Sequence, residues 1–159
     1  MNRICIWLLA AASAVCLCML PRTGTDAAKL LPAQVLVIGA GDGAITVEAD
    51  NGAAGSGPLA DMAECAEGTL FLDTAEHIVL LQSAGALLPA AAQQPQFRPA
   101  AKLYLARLPE LHAAEAVEFL QAHPGTLTLA LARAALVRGD QIRPAQLLPA
   151  EDGGMKLAG

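Results

Sequence analysis

Three glycines at alternate positions are the first residues whose type and spacing suggest chemistry. Gly39, Gly41 and Gly43 follow the apolar run VLVI, and a glycine-rich turn after a buried strand holds a phosphate in many proteins. Such a site needs a helix next, because the helix N-terminus faces the ligand. The segment AITVEAD, which follows, instead alternates apolar and polar residues and is rich in β-branched side chains. We therefore predict a β-hairpin in which the glycines form the bend, with Asp42 and Gly43 as its turn pair.

A cofactor pocket is the lesser alternative for these glycines. The hexapeptide IGAGDG, which starts at Ile38, resembles the first motif of methyltransferases and polyamine synthases, although its third spacing differs from GxGxxG. That resemblance implies binding of a nucleotide or S-adenosylmethionine. The rest of the chain does not show the repeated strand-helix units of a doubly wound sheet, so we favour the hairpin.

A second group of residues has the types needed for nucleophilic catalysis. His77 lies between Asp73 and Ser83, so a base, an orienting carboxylate and a nucleophile occur in one short segment. The sequence LQSAG around Ser83 lacks the GxSxG turn that exposes the nucleophile of many hydrolases. A small secreted, hydrolase-like enzyme using His77 and Asp73 is therefore an alternative, and a histidine at a strand edge or turn is the simpler interpretation.

The other histidines do not complete a metal site. His112 and Glu115 have the i, i+3 spacing of half a site on a helix, but no second pair accompanies them. His123 precedes Pro124 and is predicted to end a helix, where the helix dipole favours a positive charge. We therefore predict no catalytic, cofactor-binding or metal-binding residue and no cofactor.

Periodicity predicts the elements that position these residues. The predicted strands cover residues 31–38, 44–50, 70–72, 77–81 and 101–108. The predicted helices cover residues 58–68, 84–97, 110–122 and 127–138, with a loop at 51–57 and an extended tail with a turn after residue 141. Together they predict an α/β (α+β) fold in which a small mixed β-sheet with an N-terminal hairpin is flanked by helices.

Residues 1–27 are predicted to be a signal peptide or an N-terminal membrane anchor. Residues 4–20 are uncharged and apolar, which suits either a signal-peptide core or a short membrane span. Cleavage would start the mature chain at Ala28, whereas an uncleaved segment would attach the protein to a membrane. We predict one exported domain over residues 28–159, extracytoplasmic or membrane-anchored.

The charge distribution restricts the classes of partner. The formal net charge is −5, and between Lys29 and Arg98 the chain has no lysine or arginine. The acidic residues in that interval are Asp42, Glu48, Asp50, Asp61, Glu64, Glu67, Asp73 and Glu76. Nucleic acid is disfavoured as a partner, because phosphate binding needs a basic surface. A solvated acidic face is the simplest interpretation, and a cationic partner also fits.

The order of features resembles a known family. The run LFLDTAEHIVLLQSAGALLPAAAQQPQFRPAAKLYLA, from Leu70 to Ala106, has a predicted strand, helix, connector and strand, and VLVIGAGDGAITVEADNG precedes it as a hairpin. By this pattern the chain is similar to the N-terminal domain of the spore-germination Ger(x)C proteins, the C-subunit lipoproteins of nutrient germinant receptors. The resemblance implies a non-catalytic interaction module of the spore membrane that binds receptor subunits or other envelope proteins. It transfers no functional residue.

Overall fold

The computed structural model describes residues 30–41, 44–59, 63–65, 68–151 and 153–159. The predicted targeting segment and the turn pair Asp42-Gly43 lie outside these residues. The strands are β1 Leu30–Pro32, β2 Val35–Gly41, β3 Ala44–Ala49, β4 Ala54–Gly57, β5 Glu64–Cys65, β6 Gly68–Phe71, β7 His77–Leu81, β8 Lys102–Ala106, β9 Ala145–Pro149 and β10 Met155–Ala158. The helices are α1 Leu88–Gln93, α2 Ala113–Ala122 and α3 Leu129–Arg138, with 3-10 helices at Leu72–Thr74 and Gln82–Leu87.

A seven-stranded mixed sheet organises the fold. Its strand order is β10-β9-β8-β7-β2-β3-β4, and β2, β7, β8 and β9 are parallel neighbours. A second, three-stranded sheet has the order β1-β6-β5. The predicted α+β fold with a mixed sheet is thus confirmed. The expectation of no repeated strand-helix units was wrong, since α1 joins β7 to β8, and α2 and α3 join β8 to β9. α1 has six residues, and α2 and α3 have ten each. Each helix therefore shows the 3.6-residue repeat of apolar positions over only a few turns of sequence.

Helices cover both faces of this sheet. Leu36 and Ile38 of β2 pack in one cluster with residues of α1 and α3, whereas Val35 and Val37 pack with residues of α2. Burial on both faces explains why β2 and β7 are almost continuously apolar. On β8, Tyr104 lies on the α2 face and its neighbour Leu103 on the other, as the alternation predicted.

The hairpin predicted after the first apolar run is confirmed, but Gly39 and Gly41 have a different role in it. β2 and β3 pair antiparallel from Leu36 opposite Ala49 to Gly41 opposite Ala44. Gly39 and Gly41 therefore lie in the strand and not in the bend. A Cβ atom at Gly39 would lie 2.8 Å from Thr46 Oγ1. A larger residue at position 39 would therefore force the Thr46 side chain to move.

Three local predictions were wrong in the described part of the chain. The predicted strand 31–38 is two strands, β1 and β2, in different sheets. The predicted loop 51–57 contains β4, which pairs with β3 across a turn in which Gly52 has φ +85°. The predicted helix 58–68 is replaced at its end by β5, which pairs with β6. Strand pairing prevails here because an isolated short helix gains little from its own hydrogen bonds.

The later helices end as predicted and begin later. α2 begins at Ala113 and ends at Ala122, and its C-cap is His123. α3 begins after Thr128, whose Oγ1 accepts a hydrogen bond from the backbone N–H of Leu131 at 3.3 Å. Gly139 caps its end with φ +77°, a conformation that favours glycine. None of the helices among the described residues is long and apolar enough to cross a membrane.

Candidate binding groove

A concavity lies over the carboxyl-terminal ends of β2 and β7. It has a volume of about 630 Å³, and Gly39 and Gly41 form part of its floor. Its polar side chains are Thr46, Glu48, Ser56, Ser83, Glu110 and His112. We call this concavity the acidic groove. Parallel strands place their carboxyl ends at one edge of a sheet, which is where ligands of open α/β sheets usually bind.

Glu48 organises one wall of the acidic groove. Its carboxylate oxygens lie 3.2 and 3.3 Å from His112 Nδ1, and its Oε1 accepts a hydrogen bond from the backbone N–H of Ala113 at 3.1 Å. Ala113 is the first residue of α2, so the carboxylate occupies the N-terminus of that helix. This arrangement is favourable because the N-terminus of a helix carries a partial positive charge.

The same contact changes the titration of His112. The hydrogen bond to Glu48 raises the pKa of His112 above its ordinary value of 6.5, and the negative charges of Glu48 and Glu115 act in the same direction. The imidazole is exposed, with 61% of its side chain accessible, so water and salt screen the pair. Protonation of His112 is thus favoured while Glu48 is ionised.

The charge of the groove selects the class of ligand. Glu48 and Glu110 line it, and none of the described residues that line it is lysine or arginine. A phosphate ligand would have to displace the carboxylate that already occupies the N-terminus of α2. The charge of this lining therefore favours a cationic group over a phosphate.

The structure does not bring together the residues of the alternative catalytic set. His77 is the first residue of β7, whereas Ser83 follows the other end of that strand. At roughly 3.3 Å per residue, β7 separates them beyond any hydrogen bond. Ser83 Oγ instead accepts a hydrogen bond from the backbone N–H of Ala40 at 3.1 Å. Asp73 lies in the 3-10 helix before β7.

His77 belongs to a buried network. Its Nδ1 lies 3.0 Å from Tyr104 Oη, and that oxygen accepts a hydrogen bond from the backbone N–H of Gly125 at 2.9 Å. The Tyr104 hydroxyl is then free to donate to Nδ1, which leaves the His77 proton on Nε2. Burial lowers the pKa of His77, and Lys102 and Arg98 also lower it, whereas Glu76 raises it. Burial raises the pKa of Tyr104, because it disfavours the charged phenolate.

The two other histidines lie at opposite ends of α2. His112 contacts Glu48 and not Glu115, the residue that the i, i+3 spacing had suggested as its fellow metal ligand. The described residues contain no group of three or more potential metal ligands. His123 ends α2 as predicted, and its ring stacks on Phe119 with centroids 4.8 Å apart. Its Nδ1 lies 3.2 Å from the backbone oxygen of Phe119.

Sequence reasoning missed the acidic groove although it identified several of its residues. Glu48 was one of many acidic residues, and His112 was considered only with its helical neighbour. The alternation of Thr46 and Glu48 on β3 places both on one polar face, and this signal was available. Their partner, His112, is 64 positions further along the chain than Glu48. That pairing depends on the crossover from β8 to α2.

Comparison with known proteins finds no match: no family model, no curated protein and no solved structure is significantly similar to this chain.

Proposed function

We propose that the protein is a non-catalytic, exported or membrane-associated interaction domain that binds a basic segment of another envelope protein in the acidic groove. The observation that carries this proposal is the Glu48 carboxylate at the N-terminus of α2, in a groove without lysine or arginine among its described lining residues. The two carboxylates of the groove, Glu48 and Glu110, outnumber its one titratable cation, His112, so a lysine or arginine side chain is favoured there over an anion.

The shape of the neighbouring sheet edge supports an extended partner. β4 is the last strand of the large sheet, and among the described residues no strand pairs with its outer edge. Its sequence, Ala-Gly-Ser-Gly, presents small side chains, and Ala54 and Ser56 line the groove. A partner that adds as a strand beside β4 would therefore place alternate side chains over the groove.

Synthetic peptides test this proposal directly. We expect a fluorescent peptide of alternating lysine and threonine to bind the protein by anisotropy, and its glutamate-threonine counterpart not to bind. Binding should weaken as salt is raised, since the attraction acts between partly exposed charges. Glu48→Gln and Glu110→Gln should each lower the affinity by about two- to fivefold, the range of an exposed charge pair.

Glu118→Gln is the matched control. Glu118 is exposed on α2 and does not line the groove, so this substitution removes the same charge from the protein. If it weakened binding as much as Glu110→Gln, the attraction would come from net charge and not from the groove. Equal binding of the two peptides would refute the proposal.

The setting that we propose rests on the sequence. The predicted targeting segment supports export, and the resemblance of residues 34–159 to the Ger(x)C domain supports spore-membrane receptor subunits as partners. Site-specific crosslinking from Ser56 in intact cells tests this setting. A crosslinked receptor subunit, with a lower yield in Glu48→Gln and an unchanged yield in Glu118→Gln, is the expected result.

A hydrolytic function is the second candidate, now on different residues. The contact of His112 Nδ1 with Glu48 is the orienting half of a catalytic triad, and hydroxyl groups of Thr46, Ser56 and Ser83 line the same groove. This candidate predicts ester hydrolysis that disappears in both His112→Ala and one hydroxyl variant, for example Ser56→Ala. The interaction proposal predicts no turnover in any of them.

A further inference from the structure

A second concavity lies at the other end of the parallel strands from the acidic groove. Its volume is about 220 Å³, and it lies at the amino-terminal ends of β7 and β8. Glu76, His77, Arg98, Lys102 and Gln121 supply its polar lining. We call it the basic cavity, because it combines two permanent cations with a single carboxylate.

Donors without full partners surround the basic cavity. Arg98 Nε is shielded from solvent and has no hydrogen-bond acceptor among the described residues. His77 uses Nδ1 for Tyr104, and no described group accepts from its Nε2. Lys102 Nζ donates to the backbone oxygen of Gly125 at 2.7 Å, which uses one of its three protons.

Glu76 satisfies this cluster only in part. Its Oε1 lies 3.4 Å from Arg98 Nη2, which is a long contact, and half of the Glu76 side chain is exposed. A guanidinium normally binds an oxyanion with two parallel N–H groups. The single long contact to Glu76 leaves the Nε of that pair unused, and an unsatisfied buried donor is unfavourable.

From this geometry we infer that the basic cavity binds a small oxyanion of the carboxylate or phosphate class. Arg98 Nε is shielded from solvent in the described conformation, so the guanidinium rotates on binding to bring Nε and Nη to two oxygens of the anion. Lys102 supplies a second positive charge and His77 Nε2 donates a further hydrogen bond. Water occupies roughly 30 Å³ per molecule in the liquid, so the cavity accommodates an anion of four or five heavy atoms. The site is independent of the acidic groove.

Glu76 is then the internal competitor for Arg98. A bound oxyanion and the Glu76 carboxylate repel one another, so Glu76→Gln should raise anion affinity. Arg98→Gln should lower it about tenfold or more, the usual range for losing hydrogen bonds to a charged group. Opposite effects from two substitutions in one cavity separate anion binding from loss of folding.

The test is a titration of the purified 159-residue chain with inorganic phosphate and, separately, with acetate. Binding is measured by calorimetry and by the NMR signals of the His77 imidazole. We expect saturable binding of at least one anion, weakened by Arg98→Gln and strengthened by Glu76→Gln. Arg107→Gln is the control, since Arg107 is exposed and pairs with Gln146 outside the cavity. No saturable change with either anion, or equal losses from Arg98→Gln and Arg107→Gln, would overturn the inference. Acetate binding without phosphate binding would assign a carboxylate ligand, and the reverse would assign a phosphate.

Discussion

The two ends of the parallel strands differ in charge and in burial. At the carboxyl ends, Glu48 and His112 form an exposed pair in the acidic groove. At the amino ends, His77 and Tyr104 form a buried pair behind the basic cavity. The parallel strands therefore have opposite electrostatic character at their two ends. A histidine lies at each end, and its role differs between them.

Under the proposed function, the amino ends of the strands contribute to stability and the carboxyl ends to recognition. The buried contact between His77 Nδ1 and Tyr104 Oη joins the start of β7 to β8. The exposed pair is screened by solvent and contributes mainly to the charge of a surface that a partner can reach. Substitutions at the amino ends should therefore change stability most, and substitutions at the carboxyl ends should change binding.

Tyr104→Phe is expected to have the largest effect on stability. It keeps the buried ring but removes the hydroxyl, so the Gly125 N–H and His77 Nδ1 both lose their partner. Loss of buried partners typically lowers the free energy of unfolding by about 1–3 kcal/mol, which urea denaturation measures. A change below about 0.5 kcal/mol, the usual range of surface substitutions, would show that this network does not hold the amino ends.

Gly39→Ala should have the next largest effect. It should lower the free energy of unfolding by about 1–2 kcal/mol, the usual range for overpacking. Its Cβ would lie 2.8 Å from Thr46 Oγ1 and 3.3 Å from Leu81 Cδ1. Gly41→Ala is the matched control, because a Cβ there meets no atom within 4 Å. Thr46→Ala should restore most of the loss in the double variant. Equal losses for the two glycine variants would contradict the close approach on the groove floor.

The pattern of residues predicted the centre of the sheet and the extended tail that forms β9 and β10 at one edge, and it missed β4 at the other edge. β7 and β8 carry β-branched or large apolar residues, and burial confirms the predicted position of Tyr104 opposite Leu103. Ala54–Gly57 has no such residue, because an edge strand of small side chains is defined by pairing with β3 and not by its own preference. The turn pair Asn51-Gly52 was the available signal.

The candidate groove was harder to predict because it is a tertiary feature. The sequence identified the glycines, Glu48 and His112 separately, and the glycines were assigned to the bend. Only the register of β3 on β2 and the return of the chain into α2 bring Glu48 to His112 and Ala113. The His77 network likewise joins residues from β7, β8 and the segment after α2.

The two histidines should have the smallest effects on the free energy of unfolding. These effects should depend on pH in opposite directions. The folded pKa of His112 is raised, so its contribution to stability is present below about pH 6.5 and is lost as pH rises through the folded pKa. The folded pKa of His77 is lowered, so the unfolded chain binds more protons as pH falls below about 6.5 and stability is lost there.

Urea denaturation across pH 5 to 9, a range of about two units around the histidine pKa of 6.5, measures both slopes. The stability difference between the wild-type protein and His112→Gln should shrink as pH rises. For His77→Gln it should shrink as pH falls. Slopes of the same sign for both variants would contradict the contrast between a buried and an exposed histidine.

The most direct test of the central claim, that the acidic groove recognises a basic segment, is a chemical-shift titration of the isotope-labelled 159-residue chain with the lysine-threonine peptide. We predict that signals of Thr46, Glu48, Ser56, Glu110 and His112 shift saturably, while those of Arg98 and Lys102 do not. Saturable shifts centred elsewhere, or no shifts at low salt, would contradict the account.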